Sequence, residues 1–132
     1  MNVATRFPHH PTSVSRARHA IDGLETAVDE ETLATVRLLV SELVTNSVRH
    51  ARPDRSGEIE LSVSASPKTV RVEVADSGPG FNAQPRTGDQ DQGSGWGLHL
   101  VELLSHRWGT MREKGMRIWF EIDHSVTAEV AA

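Results

Sequence analysis

Apolar positions change their period several times along the chain, and each change predicts an element. A short patterned stretch covers residues 2–7 and ends at Pro8 and Pro11. Beyond it, Val14, Ala17, Ala20, Ile21, Leu24 and Val28 fall at helical spacing, with Ser13 or Ser15 as the cap. A second helix begins at the acidic group Asp29, Glu30 and Glu31 and ends by Arg52 and Pro53. Its apolar stripe is Leu33, Val36, Val40, Leu43, Val44 and Val48; the acids at its start and Arg49, His50 and Arg52 at its end suit the helix dipole. The period then becomes two. Ile59, Leu61 and Val63 alternate with Glu58, Glu60, Ser62 and Ser64. After a Pro67-Lys68 turn, Val70, Val72 and Val74 alternate with Arg71 and Glu73, which predicts an antiparallel hairpin with one buried face. Residues 82–94, NAQPRTGDQDQGS, hold a single apolar side chain and predict a mobile loop. Leu98, Val101, Leu103 and Leu104 predict a third helix, followed by a strand around residues 108–112 and a turn at Lys114-Gly115. A last strand places Met116, Ile118, Phe120 and Ile122 on one face, and residues 125–132 predict a flexible tail. The sum is an α+β two-layer sandwich, about three helices on one face of a mostly antiparallel mixed sheet, in a single domain over residues 1–124.

Composition narrows the function classes. A length of 132 residues suits one core. With no cysteine, thiolate metal sites, disulfides and cysteine nucleophiles are excluded. A net charge of -4 argues against phosphate-backbone binding as the main role, so nucleic acid is not an expected partner. No apolar run reaches a membrane span and no signal-peptide pattern opens the sequence, so the expected location is cytoplasmic. No GxSxG elbow supports a serine nucleophile. The pair His9-His10 is expected at the surface rather than in a metal site.

Three places break the hydrophobic pattern with chemistry. Glu42, Asn46, Arg49 and His50, at i, i+4, i+7 and i+8, share one stripe of the second helix. Oxygens from the first two suit Mg²⁺ or a water, and donors from the last two suit phosphate; a solvated helix face is the plain alternative. Asp76 has the parity of Val70, Val72 and Val74, so it points to the helix-covered side of the sheet, where a carboxylate needs donors. Gly78 and Gly80 flank Pro79 directly after it and leave space for a flat ligand, or form an ordinary turn. Gly93, Ser94, Gly95, Trp96 and Gly97 precede the third helix and either expose N–H groups to an anion or act as a hinge. The P-loop lysine is missing, and no strand leads straight into these glycines, so Walker and Rossmann readings do not fit.

In that order, ELVTNSVRHA, ADSGPGF and GSGWGLHLV resemble the asparagine box and the two glycine boxes of the GHKL (histidine kinase-like) ATP-binding family. The likeness covers about residues 5–123. Within the family the chain is similar to the small stand-alone anti-sigma factor serine kinases of the SpoIIAB/RsbW kind, common in actinobacteria; RFPHHPTSVSRAR and the WFEI ending add to it. No helix pair with a phospho-accepting histidine is read before the pattern, so a full histidine kinase is not the expectation.

The resemblance implies ATP and Mg²⁺ as cofactors, with Asn46 the metal ligand and Glu42 the general base toward a partner serine. It places Arg49 and His50 near the phosphates and Asp76 against the adenine amine, with Gly78 and Gly80 making room for the base. Gly93, Ser94, Gly95, Gly97 and Leu98 lie at the phosphates, and residues 82–94 form a lid. The implied partners are a sigma factor, a STAS-domain anti-anti-sigma protein and a second copy of the chain. Two departures stand out: Arg117 is read at the position where the family often carries a threonine that helps bind adenine, and Trp96 stands where relatives often carry Arg or Met. Both leave room for a catalytically silent ATP-binding adaptor. A third class, a non-nucleotide interaction domain, treats the glycines as turns.

Overall fold

The computed structural model describes residues 1–50, 57–76, 96–112 and 115–125, with the backbone alone of Trp96 and Gly97. Five strands, β1 (Asn2–Pro8), β2 (Glu58–Ala65), β3 (Thr69–Asp76), β4 (Arg107–Arg112) and β5 (Met116–Asp123), form one sheet in the order β1-β2-β3-β5-β4. Every pairing among them is antiparallel, so the sheet lacks the mixed character expected from the sequence. Three helices, α1 (Thr12–Ala20), α2 (Glu30–Arg49) and α3 (Trp96–Leu104), complete the described elements together with a 3-10 turn at Asp22–Thr26.

The period-two strands bury one parity. Ile59, Leu61 and Val63 of β2, Val70, Val72 and Val74 of β3, and Met116, Ile118, Phe120 and Ile122 of β5 are all buried. Against them α2 sets Leu33, Val36, Leu39, Val40, Leu43 and Val44. Each such fully buried aliphatic side chain contributes about 1.5–3 kcal/mol. Asp29 caps α2 by accepting from the Thr32 N–H at 2.9 Å, as the acidic start predicted.

The first helical stretch differs from expectation. It begins at Thr12 after Pro11, and Ser13 is no cap: it is fully buried and its hydroxyl donates back to the Pro8 carbonyl at 2.6 Å. The helix stops at Ala20, where the Ile21 N–H turns to the Arg18 carbonyl at 3.3 Å, and Leu24 reaches the core from the 3-10 turn instead. Leu104 also departs from its expected place, since it and Leu103 are exposed, while Leu98 and Val101 carry the core face of α3.

The opposite face of the sheet is laced by charge. Arg71 bonds Glu121 at 2.9 Å and Glu73 at 3.1 Å, Arg117 bonds Glu73 at 2.8 Å, and Arg107 bonds Glu121 at 2.7 Å and also Asp123. The Arg71 guanidinium lies over the Trp119 ring, 4.4 Å from its centroid. Trp108, at the edge of the sheet, packs against the core from the other face.

Candidate functional site

Register brings one carboxylate into an apolar row. Phe7 pairs with Ile59, Ile59 with Asp76, and Asp76 with Met116, and all four side chains are buried. Asp76 therefore ends β3 on the helix-covered face, as its parity predicted, and is only 4% exposed. A carboxylate there requires a donor. One comes from His9, whose Nε2 lies 2.8 Å from Asp76 Oδ1 and which is itself 1% exposed. The surface placement expected for His9-His10 holds for His10 alone. The missed signal was parity: Val3, Thr5 and Phe7 point inward from β1, and His9 continues that count.

The polar stripe of α2 is solvated only in part. Asn46 is 3% exposed, and its Nδ2 has no hydrogen-bond partner among the described residues. A buried carboxamide left in that state is expected to meet a further group; turning the amide presents Oδ1 in place of Nδ2. Glu42, one turn earlier, is half-buried, Arg49 is exposed, and His50 is half-buried at the C-terminal cap. α2 packs on both β3 and α3, so the Asn46 helix adjoins the Asp76 strand and the α3 helix alike.

Arg117 is not the residue beside Asp76. It pairs in register with Ala75, projects from the outer face and bonds Glu73, whereas Met116 stands opposite Asp76. Counting from the buried Ile118 assigns both correctly. Gly97 lies in the first turn of α3, and Leu98 behind it is fully buried. Gly78, Gly80, Gly93, Ser94 and Gly95, and the lid assigned to residues 82–94, lie outside the described residues.

The residues present fit a magnesium nucleotide. Glu42 and the Asn46 amide offer the oxygen ligands that Mg²⁺ prefers, and Mg²⁺ commonly takes few protein ligands beside phosphate oxygens and waters. The described residues contain no group of three or more His, Cys, Asp or Glu that could hold a metal by themselves. A buried acceptor at the end of β3 suits the donor edge of a base.

An antiparallel sheet covered on one face by helices, with a buried Asn on the long helix and a buried Asp at a strand end, defines an α+β two-layer class. Residues 7–122 match the histidine kinase-like ATPase domain family, and the chain belongs to that family. Its sequence likeness lies on the RsbW side. It is 29% identical over 116 residues to the serine-protein kinase RsbW of Listeria monocytogenes, covering 77% of this chain and 74% of that one. The RsbW of Bacillus velezensis is 24% identical over 95% of this chain and 91% of its own. Among solved structures, the blue-light activated histidine kinase of Erythrobacter litoralis EL346 superimposes with a TM-score of 0.60 at 26% identity. That match covers 94% of this chain and 44% of the kinase.

Proposed function

We propose that this chain is an ATP-binding anti-sigma factor with serine kinase activity toward a STAS-domain partner. The observation that carries the reading is the half-buried Glu42 one helical turn before the buried, incompletely bonded Asn46. The RsbW relatives, named as serine-protein kinases, support the direction of the chemistry.

In this reading Asn46 holds Mg²⁺, which when bound neutralises phosphate charge. Asp76 accepts from the adenine amine, with Gly78 and Gly80 beside the base. Arg49, His50 and the Gly93, Ser94, Gly95 and Gly97 backbone face the phosphates, and Leu98 anchors the start of α3 in the core. Glu42 takes the proton of the partner serine hydroxyl. The serine oxygen bonds the terminal phosphorus, and the bond to the bridging oxygen breaks to release ADP. Such a transfer depends on positioning and charge more than on covalent help from the protein. Phosphate added to the STAS protein changes which complex forms, with the sigma factor as the competing partner. A single domain over residues 1–124, a lid at residues 82–94, homodimerisation and a cytoplasmic setting belong to the same proposal. No helix among the described residues is long and apolar enough to cross a membrane.

The test is incubation with Mg-ATP and a cognate STAS protein. Phosphoserine appears with the native chain and is lost in Glu42→Ala, which still binds nucleotide. Transfer that survives the substitution removes Glu42 from its role. Tight binding without transfer by the native chain selects the silent adaptor; the residue opposite Asp76 is Met116, which carries no hydroxyl either.

A further inference from the structure

We propose that His9 is a positioning residue for base recognition: it holds the Asp76 carboxylate in the orientation that reads the exocyclic amine of the purine. The inference rests on the reading of Asp76 given above.

His9 is held inward by its surroundings. It follows directly on β1, in a turn bracketed by Pro8 and Pro11. The Ser13 hydroxyl ties that turn to the Pro8 carbonyl at 2.6 Å, the His10 N–H reaches the same carbonyl at 2.9 Å, and the Ser13 N–H reaches the His10 carbonyl at 2.9 Å. His10 faces solvent and bonds Thr12, so the neighbouring imidazole does not compete for Asp76. The result is a contact of 2.8 Å across 67 residues of sequence, between side chains that are 1% and 4% exposed.

A carboxylate on a single strand end rotates about its own side-chain bonds unless something fixes it. The His9 contact does so at Oδ1. Two carboxylate oxygens carry about four lone-pair positions, and the His9 donor takes one of them. With the proton on Nε2, His9 donates to the same carboxylate that accepts from the base. A group held in place before binding does not lose that freedom on binding, which strengthens the contact it makes.

The experiment compares ATP with purine riboside triphosphate, which lacks only the exocyclic amine, by calorimetric titration in the presence of Mg²⁺. The native chain is expected to prefer ATP. His9→Met fills the space without a donor and is expected to lower ATP affinity by about tenfold while leaving affinity for the analogue unchanged. His9→Gln, which returns an N–H at similar reach, is expected to restore the preference. Equal loss for both nucleotides in His9→Met, or an undiminished preference for ATP, overturns the proposal. A native chain that binds both nucleotides alike instead overturns the reading of Asp76, and the role of His9 with it. If His9→Met does not fold, the ring-nitrogen resonances of His9 in the native chain decide: they shift on adding ATP and much less on adding the analogue. Equal shifts overturn the inference.

Discussion

Asp76 and His9 show how one buried polar pair organises a region that is otherwise apolar. Neither side chain is tolerable alone at that depth, and their 2.8 Å contact is made where the ends of β1 and β3 meet across β2. Removing one partner therefore costs more than the contact is worth when both are present. Asp76→Ala leaves the His9 imidazole buried without this acceptor, and a loss of about 1–3 kcal/mol is expected in nucleotide-free protein. Asp76→Asn keeps the size and one acceptor oxygen, so a smaller loss is expected. Urea unfolding of the two variants against the native chain checks the order; equal losses would show that the His9 contact carries little of the stability. Much at this scale was legible in the sequence. Strand parity placed Asp76, and helical spacing joined Glu42 to Asn46. What parity could not show was which group meets Asp76, because that group lies 67 residues away and beyond a turn.

At the scale of elements, β4 depends on a glycine. A Cβ at Gly109 would sit 2.8 Å from Trp119 Nε1 and 3.0 Å from two further atoms of that ring. The indole is rigid, so the ring has to move, and with it the Arg71 guanidinium stacked on it. Gly109→Ala is expected to cost about 1–3 kcal/mol, in the range of overpacked sites. A lowered urea midpoint checks this, and an unchanged midpoint would mean that the edge strand shifts freely. The close approach of Gly109 to Trp119 has no signature in the sequence, where glycine in a strand reads only as a weak spot. The hairpin of β2 and β3 was legible because period and turn agree. The division of the first helical stretch was not, since the apolar spacing from Val14 to Leu24 continues across the point where the backbone tightens. Spacing reports which side chains reach the core, and both α-helix and 3-10 turn bring Leu24 there.

Across the whole molecule the two faces of the sheet divide the work. The covered face carries the core and the candidate site, and the other carries an ion-pair ladder spanning β3, β5 and β4. Exposed pairs of this kind are individually weak, so the ladder matters chiefly through its response to pH and salt. Bonds from Arg107 and then Arg71 hold the Glu121 carboxyl below its ordinary value of 4.5. Arg107 does the same for Asp123, and at the start of α2 the Thr32 side-chain and backbone bonds hold Asp29 below 3.8. All three shifts have one sign. As pH falls through the ordinary values, the unfolded chain takes up protons that the folded chain still refuses. The stability these groups contribute is complete above those values and is lost as pH falls through the lowered folded ones. Urea midpoints measured from pH 7 down to about pH 3 are expected to stay level and then drop once the ordinary carboxyl range is entered. Glu121→Gln removes the central acid of the ladder and is expected to shallow that drop, while lowering the midpoint at pH 7 only slightly. Added salt narrows the difference between the two proteins if the pairs act through solvent-exposed charge. A drop of the same depth in Glu121→Gln would show that this carboxyl is not the source of the acid sensitivity.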